Sequence, residues 1–192
     1  MIQAKPRFLS FEEYLNYDAD SEQLYELFNG ELIEVPPESG LNVQIANRLF
    51  LILAMLLGTD QIRGHGLELE VRGEPKNRYP DLTVLRSEHI EQLKQRNTIR
   101  LAMAPPVLVV EVVSPGEIQR DRDYIAKRQQ YQDREIPEYW IVDPQLKTIL
   151  ILELQNGIYS KVETFSGTDS IHSSQVLDLQ LSPDQVFTTS PS

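Results

Sequence analysis

The sequence predicts an α/β domain built on a mixed β-sheet. Three observations carry this. Asn29-Gly30 and Asn156-Gly157 each separate two short apolar runs, the strongest short hairpin signals in the chain. Val107 to Val113 is a continuous apolar run rich in valine and broken only by Glu111, as expected of a strand covered on both faces. The elements run in the order helix, hairpin, helix, strands, helix, strand, hairpin. That order mixes parallel and antiparallel strands and lacks the regular alternation of a doubly wound fold.

Taken in order, LSFEEYLNY reads as a short helix with Ser10 at its N-cap. QLYELFNGELIEVP is the first hairpin, and Pro36, Pro37 and Gly40 punctuate the stretch after it. Residues 42–57 place Val43, Ile45, Ala46, Leu49, Phe50, Leu53 and Leu57 at helical spacing. IRGHGLELEVRG alternates and reads as one strand, and DLTVLR as another. The polar residues 88–98 make a short helix or an excursion. Residues 118–134 are helical, and Tyr139 to Val142 is a strand closed by Asp143-Pro144. Residues 148–154 and 158–164 flank the second hairpin turn. A short strand, a short helix opened by Ser182-Pro183-Asp184 and a loose end complete the chain, so residues 1–187 read as a single domain and 188–192 as a flexible tail.

Composition narrows the function. The 192 residues include no cysteine, which excludes disulfides, zinc thiolates and cysteine nucleophiles. No signal peptide is expected from MIQAKPRFLSFEEY, and the longest apolar run, Leu49 to Leu57, is too short to span a membrane and reads as a buried helix. A cytoplasmic protein with no membrane partner is expected. The net charge of −11 argues against a general nucleic-acid binder, because phosphates repel an acidic surface. The charge is uneven, however. Residues 86–134 carry nine basic and seven acidic side chains, so the middle of the chain is the only part suited to an anionic ligand, the alternative being that so small an excess is chance.

Two acids stand where strands are expected. Asp81 follows Pro80 at a strand entrance, and Glu111 interrupts the apolar run. Leaving a buried acid without its partner costs about 3–5 kcal/mol, so each needs compensation. Carboxylates from neighbouring strands suit Mg²⁺, which takes oxygen ligands and borrows only one or two acids from the protein. A bound cation lowers the pKa of a water and neutralises phosphate charge. A glycosidase acid pair is the alternative, and no second feature supports it. In the following helix Asp123, Lys127 and Tyr131 recur at i, i+4, i+8 and line one face. A lysine there beside two carboxylates would orient a water or stabilise charge on phosphorus, while the plainer reading is a solvated helix with an ordinary Asp–Lys pair.

Other candidates read as structural. His65, His89 and His172 have no metal-ligand spacing, Trp140 belongs to the core, and Asp143 caps the turn before Pro144. Ser114 has no histidine partner in view. Arg78 either contacts a phosphate or pairs with a glutamate.

Pro80-Asp81, Glu111 in an apolar strand and a helix bearing Lys127 together resemble the PD-(D/E)XK nuclease superfamily. YELFNGEL, RYPDLTVL, PPVLVVEVVSP, DYIAKRQQY and IPEYWIVDP, in this order, resemble the putative restriction endonuclease family expanded in cyanobacteria and long filed as a domain of unknown function. The resemblance implies a restriction-endonuclease-like core: a mixed sheet flanked by helices, with N-terminal and C-terminal hairpins. It implies a metal-dependent endodeoxyribonuclease acting on DNA, with duplex the expected form, and a two-fold homodimer to match. Asp81 and Glu111 would hold Mg²⁺, for which Mn²⁺ substitutes. Lys127 would be the catalytic lysine, Glu26 an additional metal acid, and Asp123 and Tyr131 supporting residues. The superfamily lysine lies two positions after the glutamate, where this chain has Val113. The histidine that such sequences often carry at the start of the second helix has no counterpart near Leu41-Asn42. A non-catalytic binding module of the same fold, favoured by the acidic charge, and a nuclease acting on RNA are the rival readings.

Overall fold

A computed structural model describes residues 7–17 and 23–188, so the expected tail at 188–192 lies outside the described residues apart from Thr188. Helix α1 (Phe11–Leu15) begins where the Ser10 hydroxyl accepts from the Glu13 amide. Strands β1 (Tyr25–Phe28) and β2 (Glu31–Glu34) form the first hairpin. Its turn holds Asn29 at φ 49° and Gly30 at φ 80°, the two left-handed positions that such a turn requires. Gly30 is doubly constrained, since a Cβ there would meet the Phe8 carbonyl oxygen at 2.7 Å.

Helix α2 (Gly40–Leu57) is capped by Ser39 and begins earlier than its apolar spacing suggested. Ile45, Leu49 and Leu53 form its buried stripe. The expectation of a buried helix holds for that stripe only: Leu41, Val43, Leu51, Met55 and Leu56 are exposed. At 18 residues α2 has the length and apolar composition to cross a membrane, but here its stripe packs into the core formed with the central sheet.

After a 3₁₀ turn (Thr59–Gln61), the strand expected over IRGHGLELEVRG is two strands in different sheets. These are β3 (Ile62–Gly64) and β4 (Glu68–Glu70). The chain turns between them at His65-Gly66, with Gly66 at φ 118°. Next come β5 (Asn77–Arg78), β6 (Leu82–Val84), α3 (Ser87–Gln92), β7 (Thr98–Ile99) and β8 (Leu108–Val112). A long helix comes after β8, made of α4 (Glu117–Asp121), a π-helical stretch (Arg122–Lys127) and α5 (Arg128–Asp133). Strand β9 (Glu138–Asp143), the hairpin β10 (Thr148–Gln155) and β11 (Ile158–Ser166), and α6 (Pro183–Phe187) complete the fold.

The six-stranded sheet runs β11-β10-β9-β8-β6-β3, with only β8 and β9 parallel. It is the mixed sheet the sequence predicts. Strands β5, β4 and β7 form a small second sheet that the sequence did not reveal, because β5 and β7 are two residues each. The expected short strand before α6 is absent among the described residues. Residues 171–181 instead bury Ile171, Val176, Leu179 and Leu181 in the core without joining a sheet.

Strand alternation separates the two faces of β8. Leu108, Val110 and Val112 join the core that contains the α2 stripe, while Val109 and Val113 join the one that contains Tyr131 and Tyr139. Glu111, between Val109 and Val113, therefore points to the face covered by the long helix.

Candidate active site

The same alternation places Asp81. Leu82 pairs with Val110 and Thr83 with Val109, so the register continued by one residue sets Asp81 opposite Glu111. The Val112 amide donates to Asp81 Oδ2 at 2.7 Å, fixing the carboxyl at the strand entrance. Both acids are buried and both line one cavity of about 20 Å³, room for a single water-sized particle. Burial, then the neighbouring Glu111 charge, pushes Asp81 up to about 8.

The long helix delivers the other partners. Lys127 Nζ lies 2.7 Å from Glu111 Oε2 and 2.9 Å from Asp123 Oδ1. Tyr131 OH donates to Glu111 Oε1. All three helix residues are buried, so the solvated-helix alternative does not describe this face. Lys127 closes the π-helical stretch, a local widening of the helix common at functional sites. The strand position where a superfamily lysine would stand, Val113, is wholly buried in the core, and the helix-borne amine reaches Glu111 instead. Burial opposes the Lys127 charge, but the Glu111 and Asp123 carboxylates outweigh it and raise its pKa. Burial raises Glu111 as well, against the pull of Lys127. Asp123 Oδ2 is buried without a hydrogen-bond donor among the described residues, and Arg122 Nε lies 3.6 Å from Oδ1. Three acids thus surround one lysine, with one arginine alongside.

The remaining expected residues sit at the rim. Arg78 is buried and pairs with a glutamate, one of its two sequence readings: Nη1 donates to both Glu26 oxygens at 3.0 and 3.1 Å, and Nε to Gln130 at 2.8 Å. Glu26 lines the acid cavity from β1 while so engaged. Among the described residues no group of three or more histidines, cysteines, aspartates or glutamates is arranged to hold a metal ion. Glu26 is engaged by Arg78, and both Glu111 oxygens by Lys127 and Tyr131.

Three residues were missed by sequence reasoning. His65, at the corner between β3 and β4, lines the cavity with Nδ1 3.9 Å from Asp81 Oδ1. Its only sequence signal was its place between two glycines. Glu38, just before the α2 cap, lines the cavity and accepts from Asn42 and Ser114, each at 3.2 Å. Arg122 lines it from the π-helical stretch. His89 is structural: its ring bridges the Arg86 amide and the Ala104 carbonyl. Trp140 is core, and Asp143 caps its turn by accepting from the Gln145 and Leu146 amides.

A mixed sheet carrying acids on two adjoining strands, with a lysine brought against one of them, is the arrangement of the PD-(D/E)XK class. The chain belongs to the Uma2 family, described as putative restriction endonuclease, whose model matches residues 11–185. The fold is similar to the crystal structure of a putative nuclease belonging to DUF820 from Anabaena variabilis ATCC 29413. The TM-score is 0.67 at 17% identity, covering 94% of this chain and 98% of that one. No curated protein matches.

Proposed function

We propose that this chain is a Mg²⁺-dependent endonuclease that hydrolyses phosphodiester bonds in DNA, with Mn²⁺ able to substitute. The observation that carries the reading is the convergence of Asp81 and Glu111, from neighbouring strands, with Lys127 on the wall of one cavity. Carboxylate oxygens are the donors a hard cation takes. Burial and the Glu111 charge push Asp81 up to about 8, so a cation bound beside it would compete with its proton. Asp81 and Glu111 would hold the ion, with Glu26 as the additional acid, the rest of its shell being water. The ion supplies charge neutralisation at phosphorus and a more acidic water.

The chain's own groups do the remainder. Hydrolysis joins a water oxygen to phosphorus and breaks a P–O ester bond, building negative charge on the phosphoryl oxygens. Lys127 offers a positive charge beside that position, held there by Glu111 and Asp123. Tyr131 keeps Glu111 from turning, and Asp123 keeps Lys127 charged. Arg122 adds a second positive charge at the cavity wall. A two-fold dimer is part of this reading, and the exposed Leu51, Met55 and Leu56 on α2 support such an assembly.

The test is cleavage of supercoiled, linear and single-stranded DNA by purified protein with Mg²⁺ or Mn²⁺. Cleavage lost on Asp81→Ala supports the reading. No cleavage of any form, with Asp81→Ala indistinguishable from the parent, sinks it. One observation favours the rival, a binding module: Lys127 and Tyr131 already engage both Glu111 oxygens. Calorimetric titration with Mn²⁺ separates the two, since the module binds no metal at millimolar concentration. A parallel RNA digest decides between nucleic acids.

A further inference from the structure

We propose that the cleft beside the strand acids is a nucleobase pocket, so that the nucleic acid binds with the nucleotide next to the scissile phosphate unstacked. This rests on the nuclease reading of the adjoining cavity. The cleft lies between the first hairpin and α2 and has a volume of about 470 Å³, within the roughly 300–1,000 Å³ of small-ligand pockets. It adjoins the acid cavity: Val35, Pro36, Glu38, His65 and Asp81 line both.

The two spaces differ in charge. Arg122 and Lys127 line the small cavity, whereas no lysine or arginine lines the cleft among the described residues. Its titratable lining is Glu34, Glu38, Asp81 and His65. A phosphate placed there would meet carboxyls and no fixed positive charge, so it belongs outside the cleft, on the side of Arg122 and Lys127. The neutral part of the same nucleotide belongs in the cleft. Its walls suit a flat ring: Leu24, Pro37, Val43 and Ala46 are apolar, and Phe50 is aromatic. Its polar groups suit a base edge. Carboxylates accept from amino and imino N–H groups, and the amide of Asn47 both donates and accepts. Gly64 forms part of the floor, and the space where its side chain would stand is open.

A base enters such a pocket only after leaving its stack, which is easiest when it is unpaired. Single-stranded or flapped DNA is therefore the preferred substrate, over an intact duplex of the same sequence. The expected preference is about tenfold or more in kcat/KM, the scale of one base–aromatic stack.

Two measurements on the full chain test this. In two-dimensional NMR, neutral deoxynucleosides should shift the Gly64 and Asn47 amides, which line the cleft and not the acid cavity, and inorganic phosphate should not. In cleavage assays, Gly64→Leu, which fills the cleft, and Asn47→Ala, on a helix position outside the core, should each reduce the single-strand preference. Cleavage of duplex and single strand at equal rates, with no nucleoside shift, overturns the pocket and leaves the nuclease reading standing. Nucleoside shifts without cleavage of any substrate overturn the nuclease reading and keep the pocket. Phosphate shifting the cleft amides overturns the assignment of charge between the two spaces.

Discussion

Strands β8 and β9 lie side by side and parallel, and each buries a glutamate, yet the two acids are compensated in opposite ways. Glu138 on β9 is surrounded by neutral donors. Trp140 Nε1 and Ser173 Oγ each donate to Oε1 at 2.6 Å, and the Ser174 amide and hydroxyl donate to Oε2 at 2.8 Å. The serine bonds tie the sheet to the segment before α6, and among the described residues neither a cation nor a second acid is hydrogen-bonded to Glu138. Glu111 on β8 receives two side-chain donors, one of them charged, and shares its surroundings with Asp81, Asp123 and a cavity. Neutral hydrogen bonds fix an acid in place. Charges beside a cavity leave it dependent on what enters.

Substitutions of the two glutamates break this comparison most sharply. Glu111→Gln removes the charge at the proposed metal position and should lower cleavage by about 10³-fold, the upper end of losing one preorganised electrostatic partner. Lys127 keeps Asp123 as its partner, so the folded chain should persist, as circular dichroism would report. Glu138→Leu is the opposite case. It leaves the buried Trp140 donor unpaired, at about 1–3 kcal/mol in chemical denaturation, and cuts the serine ties to the segment before α6. Cleavage per folded molecule should be unchanged. Equal effects of the two substitutions on both readouts would erase the distinction.

The acid pair next predicts a pH dependence. Folded Asp81 keeps its proton up to about pH 8, whereas in the unfolded chain it releases it near pH 4. Between those values the folded state binds more protons, so the metal-free chain loses stability as pH rises, by about 1.4 kcal/mol per unit at the steepest. Asp81→Asn should flatten the slope, and Mn²⁺ should restore stability above it. Metal affinity should rise with pH across the same window, up to about tenfold per unit, as binding displaces the proton. A slope that survives in Asp81→Asn would locate the proton elsewhere.

Much of this was legible in the residues, and the failures have physical causes. The hairpins, α2, β8 and the long helix announced themselves by turn chemistry and periodicity. The IRGHGLELEVRG strand did not, because alternation continues across His65-Gly66 while the hydrogen bonds change sheets; only pairing partners reveal such a corner. That corner is what brings His65 to Asp81. The convergence of Lys127 on Glu111 was visible as a helix face but not as a contact, since helix–sheet packing sets it. Glu26 and Arg78 were both visible, yet their mutual bond joins β1 to β5, elements with no sequence signal for meeting.

That bond supplies the smallest expected effect. Glu26 has an ion-pair partner in Arg78, so the metal role proposed for it is the part of the site that the rest depends on least. If Glu26 supplies an oxygen through water, Glu26→Gln should weaken Mn²⁺ binding in calorimetry by about tenfold, the lower range for a supporting ligand. Cleavage should follow the loss of metal and recover at higher Mn²⁺. If Glu26 only anchors Arg78, the same substitution lowers stability, because Arg78 is buried and loses its countercharge, and metal affinity stays put. Rescue of cleavage by added Mn²⁺ separates the two: it marks Glu26 as belonging with Glu111, and its failure puts Glu26 with Glu138 among the acids that hold the fold.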